Sequence, residues 1–256
     1  MNQSSTLSTA QREFIAVKIR QANSHLPESI VPTVHGVGYN SGVVTCSNGK
    51  VLKSYTVWKS MLERCYSVKS LECHPTYLYK TVCPQWFDYA AFKSWYGNLA
   101  GKLVSTDYPI ESLAIDSDLI LFVNGDDDYD RYQHDYSPHT VLMLPKGINS
   151  QLATVNGHSN KPNPDLLTGI SRNGKGYRFK TYNSDGKQVL SRTYATQEGA
   201  HEALCKQKAQ RIEDALKPFY IAMGDIQPNL KYVFSYFTKW ENIWNANYVH
   251  RMLVTL

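Results

Sequence analysis

The stretch that decides the fold is ESLAIDSDLILFVNGDDDYDRYQHDYSPHTVLMLPKGINSQL, Glu111 to Leu152. Leu113, Ile115 and the run Leu119 to Phe122 supply the apolar side of a strand. Asp116 and Asp118, two apart, fall on one face of it, because strand side chains alternate. From Asn124 to Tyr136 a run of Asp, Asn, Gly and Tyr has too little apolar content to pack, and it reads as a loop. Val141 to Leu144 is a continuous apolar run of strand type. Pro145 then opens a short helix, where its missing N–H is no loss, and Asn149 follows one turn on. Strand, loop, strand and helix thus bring two carboxylates and an amide oxygen into one segment, the hard-oxygen set that suits Mg²⁺.

Downstream, Thr154 to Asp165 (TVNGHSNKPNPD) has the Asn, Gly, Ser and Pro content of a linker. Gly169 to Arg172, Tyr177 to Tyr182 and Gln188 to Tyr194 then alternate like three antiparallel strands, with Asn and Gly turns between them. Thr196 caps a helix to about Leu216, with Ala200, Ala203, Leu204, Ile212 and Leu216 facing inward. Alternation places Arg178, Lys180 and Tyr182 on one face and Phe179 with Thr181 on the other. The helix must cover the Phe179 face. The other is left free for Arg178, Lys180 and Tyr182, joined by Arg172 and Arg192 from the flanking strands, and it suits the DNA major groove. The tail, Pro218 to Leu256, is rich in Tyr, Phe and Trp, and either packs back on the body or forms a homodimer contact.

Upstream, Thr9 to His25 is amphipathic, with Phe14, Ile15, Val17 and Ile19 as its apolar residues. A short hairpin follows, with Val43, Val44, Val51 and Leu52 in its arms. Ser54 caps a helix through Tyr66 whose apolar face is Val57, Trp58, Met61, Leu62 and Cys65. A second helix, Gln85 to Leu99, places Trp86, Tyr89, Phe92 and Trp95 in the core. The whole is α+β in class. It divides into an N-terminal helical segment (1–30), a first domain (31–153), a linker (154–165), a sheet-plus-helix domain (166–217) and an extension (218–256).

Charge sharpens this division. Between residues 166 and 195 there are six basic residues (Arg172, Lys175, Arg178, Lys180, Lys187, Arg192) against Asp185 alone, while Glu111 to Asp130 holds seven acids and no base. A basic patch suits phosphate and an acidic pocket suits cations. Five cysteines at irregular spacing argue against a disulfide framework and for a reducing cytoplasm. No apolar window of about 18 residues suggests a membrane span.

The blocks GVGYN (Gly36 to Asn40), YTVWKSMLERCY (Tyr55 to Tyr66), VCPQWFDYAAFKSWY (Val82 to Tyr96), IDSD (Ile115 to Asp118) and YSPHT with LPKGIN (Tyr136 to Asn149) resemble, in this order, phage-encoded homing endonucleases of HNH type. GISRNGKGYRFKTYNSDGKQ (Gly169 to Gln188) resembles the AP2-like DNA-binding domain that many of them carry downstream. The resemblance spans roughly residues 35 to 215 in several ordered blocks, which makes it more specific than a single motif. It implies a ββα-metal nuclease module acting on double-stranded DNA. Asp116 and Asn149 would hold one Mg²⁺, with Asp118 as a further ligand or orienting group. Arg64 would meet a phosphate or an acid of the site. The chain departs from that pattern at Ser117, where these enzymes place the histidine that activates water, since a hydroxyl takes no proton near neutral pH. His139, or after it His134, is then the base expected from the loop side. Two other readings stand beside this one. One is an HNH-fold DNA-binding protein that regulates or competes at a site without cutting, and the other is a phage protein-interaction factor acting through the tail aromatics.

Overall fold

The structure, a computed structural model, describes residues 7–24, 26–103, 112–117, 135–155, 165–182 and 187–244. It is α+β, and it divides into two compact units, Met1–Pro145 and Lys146–Leu256. Among the described residues no helix is long and apolar enough to cross a membrane.

The first unit begins with α1 (Thr9–Asn23), whose start is fixed by a capping box between Ser8 and Gln11. Its buried stripe is Ile15, Lys18 and Ala22, not Phe14, which stays exposed. Ile15 packs with Leu71 and Leu78, so the helix is docked on the segment that follows α2. The hairpin β1 (Cys46–Ser47) and β2 (Lys50–Val51) is shorter than expected and leaves Val44 and Val51 exposed. Its turn residues Asn48 and Gly49 both have positive φ, the conformation of the tight two-residue hairpin that Asn-Gly favours.

Helix α2 (Lys53–Tyr66) buries Trp58, Met61, Leu62 and Cys65 as the spacing expects. Ser54 does not cap it. Leu52 takes the cap position with no side-chain bond, and Ser54 lies inside the helix, buried, with its hydroxyl 2.8 Å from the Tyr89 hydroxyl. The motif GVGYN explains itself here. Val37 is fully buried, and a Cβ on Gly38 would collide with Leu62 and Trp58. Two further helices, α3 (Val68–Cys73) and α4 (Tyr89–Leu103), follow, and single 3₁₀ turns lie at Pro75–Tyr77 and Pro84–Phe87. Trp86, Phe92 and Trp95 form an aromatic cluster with ring centroids 4.6 to 5.5 Å apart. The helix expected from Gln85 starts four residues later because Pro84 forces a 3₁₀ turn first.

Two short sheets close the unit. β3 (Thr81–Val82) runs parallel to β5 (Asp135–Tyr136), and β4 (Leu113–Asp116) pairs antiparallel with β6 (Leu142–Pro145), setting Asp116 opposite Leu142. Pro145 does not open the next helix. It ends β6, paired with Leu113.

The second unit starts with α5 (Lys146–Val155), which buries Ile148 and Leu152. The division of the chain therefore falls ahead of this helix. Thr154 and Val155 close α5, and residues 156–164 of the expected linker lie outside the described residues. A three-stranded antiparallel sheet follows, β7 (Ile170–Asn173), β8 (Gly176–Tyr182) and β9 (Gln188–Leu190), in that order. Helix α6 (Gln197–Met223) is capped by Thr196, whose hydroxyl accepts from the Gly199 N–H. Ala200 and Leu204 of α6 pack on Ile170 and Phe179.

The described part of the tail, to Trp244, packs back on α6. Helix α7 (Leu230–Phe237) buries Leu230, Val233 and Phe237. Phe234 stacks on Tyr220 at 4.8 Å, and Trp244 meets the His201 ring edge-on at 4.6 Å. Burial holds the His201 imidazole down to about 4, so it is neutral and acts as a core ring.

Candidate functional site

Two places concentrate the residues that sequence reading selects, one in each unit. In the first, Asp116 ends β4. Leu113 and Ile115 point inward along this strand, while Ala114 and Asp116 are half-buried on its other side. Ser117 continues the inward side of the alternation: it is 2% exposed, and its hydroxyl accepts a 3.2 Å hydrogen bond from Lys80 Nζ, itself 3% exposed. Burial pushes the Lys80 amine below the ordinary lysine range, and the Asp116 carboxylate partly opposes the shift. The Tyr136 ring lies 5.9 Å from Lys80 Nζ and 5.6 Å from the Arg64 guanidinium. Arg64, Tyr136, Lys80, Ser117 and Asp116 thus form a continuous polar and aromatic chain from α2 to the end of β4.

A second lysine supports the first. Lys18, on the buried stripe of α1, donates to the carbonyls of Leu78 and Lys80 at 2.8 and 2.9 Å, and so clamps the turn that carries Lys80. Burial holds its amine down to about 8. The Cys65 thiol beneath these amines is fully buried, which raises it to about 12 against the pull of Lys18, Arg64 and Lys80. It is a packed thiol, not a nucleophile.

Arg64 also donates from Nε to the Ser60 carbonyl at 3.2 Å and lies 5.7 Å from the Tyr77 ring. It borders a cavity of about 350 Å³ shared with Glu63, Ser70 and His74. His139 sits in the exposed turn between β5 and β6, three residues before Leu142, the cross-strand partner of Asp116. That turn is held by Ser137 and Thr140, with the Ser137 N–H donating to Thr140 Oγ1 at 3.0 Å. Asp118 and His134 lie outside the described residues. Asn149 belongs to α5 of the second unit, half-buried, and its Oδ1 is buried without a hydrogen-bond donor among the described residues.

In the second unit the sheet has two unlike faces. Phe179 is buried against α6, and Thr181 Oγ1 donates to Gln207 of the same helix. On the other face β8 presents Arg178 and Lys180, the latter exposed; the side chain of Tyr182, expected with them, lies outside the described residues. Pairing puts Ser171 beside Arg178, Leu190 beside Lys180 and Gln188 beside Tyr182. Arg172 does not join them. It pairs with Tyr177, so it belongs to the Phe179 side. Nor does Arg192. The pairing shifts by one residue between Lys180–Leu190 and Tyr177–Tyr194. The Arg192 guanidinium lies 4.9 Å from the ring of Tyr194, which itself stacks on Phe179. One shifted residue turns every later side chain to the opposite face.

Sequence reading missed Lys80, Tyr136 and Lys18. For Lys18 a signal existed: it shares the 3.6-residue stripe of Ile15 and Ala22. For Lys80 there was none, since its partner is 37 residues away. Comparison with protein-family models, curated proteins and solved structures gave no match for this chain.

Proposed function

We propose that this chain acts on double-stranded DNA. In this reading it grips the duplex through the free face of the β7–β9 sheet, and it hydrolyses a phosphodiester at a centre built on Asp116, in the manner of a phage homing endonuclease. The observation that carries the reading is the two-faced sheet: α6 covers Phe179 and leaves Arg178 and Lys180 together on the open side. A small basic sheet of this kind fits the major groove, where its cations meet phosphates and base edges.

The donor set fits a hard divalent cation such as Mg²⁺. Asp116 offers a half-buried carboxylate, the hard oxygen donor that such an ion takes. Such an ion, when bound, neutralises the scissile phosphate and stabilises the leaving oxygen. Lys80 holds Ser117 and with it the end of β4, fixing the backbone from which Asp116 projects. His139, exposed on the turn before β6, would take a proton from water. Arg64, braced between Tyr77 and Tyr136, is the cation available to a phosphate.

Supercoiled plasmid incubated with the protein and Mg²⁺ should be nicked, and EDTA should stop it. Asp116→Ala should abolish nicking while changing DNA affinity less than about twofold. Wild-type nicking by Asp116→Ala would remove the assignment. A second reading, a DNA-binding protein of the same fold that does not cut, is favoured by the burial of Ser117 under Lys80 where a base would stand. It predicts tight DNA binding with no nicking under any divalent metal.

A further inference from the structure

We infer that Leu190 is a base-reading residue of the sheet, packing against the 5-methyl group of thymine in the major groove and giving the protein a preference for thymine at that position. The inference rests on the proposed docking of the β7–β9 sheet on DNA. Its own support is the register. Lys180 and Leu190 are direct cross-strand partners, so their side chains leave the sheet on the same side, and Leu190 is 51% exposed there. Its described neighbours on that side are Ser171, Arg178, Lys180 and Gln188, every one polar or charged. Val189, the other aliphatic residue of β9, pairs with Thr181 and therefore belongs to the helix-covered side. Leu190 is thus a single aliphatic side chain set among donors, on the face that carries the basic residues.

That mixture matches one base. Thymine alone among the four DNA bases carries a methyl group on its major-groove edge, next to the O4 acceptor, and apolar side chains are what contact it. Cross-strand Cβ atoms stand about 4.5–5.5 Å apart, and successive bases along one strand about 3.4 Å apart. Lys180 and Leu190 would therefore fall one to two base steps from each other, the lysine on a phosphate or acceptor and the leucine on the methyl. Gln188, opposite Tyr182 on the same side, extends the row with a group able to pair with adenine.

The test uses the full chain. Duplexes are selected from a random pool at low salt, and the best binder is synthesised once with thymine and once with deoxyuridine throughout, which deletes only the methyl groups. The wild-type protein should bind the thymine duplex about fourfold tighter for the contacted methyl, the worth of one buried carbon. Leu190→Ala should bind both duplexes alike, with its salt slope unchanged. Leu190→Met, which keeps an apolar chain of similar reach, should retain a preference. Equal wild-type affinity for the two duplexes, or a preference that survives in Leu190→Ala, overturns the inference. Because the deoxyuridine arm alters only the DNA, it holds whatever the variants do to folding. Failure of the underlying reading looks different: no duplex is retained at low salt, and Lys180→Ala changes nothing.

Discussion

Replacing Lys18 by Met tests whether α1 is part of the first unit's machinery or an appendage. Lys18 is 6% exposed, and its amine donates to two carbonyls of the turn that carries Lys80. Burial lowers it from 10.5 to about 8. Between these values the unfolded chain holds a proton that the folded chain has released. The folded-state value lies below the unfolded one, so the Lys18 contribution to stability rises with pH across that window, by about 3 kcal/mol in all. Cys65 works in the opposite sense. Its folded thiol stays protonated to about 12 while the unfolded thiol ionises near 9.0, so stability falls as pH climbs past 9. The wild-type profile alone blurs the two, and the difference between wild type and Lys18→Met isolates the lysine.

Losing the two hydrogen bonds adds an offset of about 1–3 kcal/mol that is nearly independent of pH, because a neutral amine still donates. At pH 7.5 relief of the buried charge, about 3 kcal/mol, matches or exceeds the lost bonds, so the variant should be as stable as wild type or up to about 2 kcal/mol more stable. The difference should move against the variant by about 3 kcal/mol as pH rises, leaving it destabilised by about 1–3 kcal/mol at pH 10.5. Urea unfolding followed by tryptophan fluorescence reads this out, in a Trp240→Phe and Trp244→Phe background so that Trp58, Trp86 and Trp95 of the first unit give the signal. A difference that stays flat from pH 7.5 to 10.5 would refute the buried placement of Lys18.

Three further variants concern the second unit. Lys180→Ala should weaken DNA binding and reduce the slope of log affinity against log salt by about 0.9, the loss of one phosphate contact, so its defect shrinks about 3.5-fold between 50 and 200 mM salt. Arg172→Ala should change that slope less, because Arg172 pairs with Tyr177 on the other side of the sheet; equal slopes would contradict the register. Phe179→Ala should destabilise the unit by about 3–5 kcal/mol, since the ring is 3% exposed between Ile170, Ala200 and Leu204, and a loss under 1 kcal/mol in urea titration would mean that α6 does not seal that face.

What was legible in the sequence is what repeats over two to four residues. The alternation of Arg178, Phe179, Lys180 and Thr181 told which face α6 would cover, and the stripe of Trp58, Met61, Leu62 and Cys65 told which side of α2 is buried. Thr196 as a cap and Asn48-Gly49 as a hairpin turn are equally local. Errors begin where one residue of register matters. Arg172 and Arg192 stand on the strands that flank Lys180, but a single shift between Leu190 and Tyr194 and the pairing of Arg172 with Tyr177 take both away from its face. Ser54 has the type and position of a cap, while Tyr89 of a different helix claims its hydroxyl.

The centre on Asp116 was the least legible because its chemistry is assembled across distance. From sequence, Ser117 is simply a missing base. In the fold the same position holds a buried hydroxyl under a buried amine that arrives from 37 residues away, on a turn clamped by a third element. That arrangement decides what the pair can do. A group that activates water must exchange protons with it at each turnover, and side chains 2% and 3% exposed do so only when the fold opens. Lys80 and Ser117 therefore serve to hold the strand end, and in the proposed reaction water activation falls to a solvent-facing group, for which His139 is exposed while His134, the other histidine expected, lies outside the described residues. Cleavage lost in His139→Ala yet kept in Ser117→Ala would match this division of labour, and the reverse pattern would transfer the proton to Lys80.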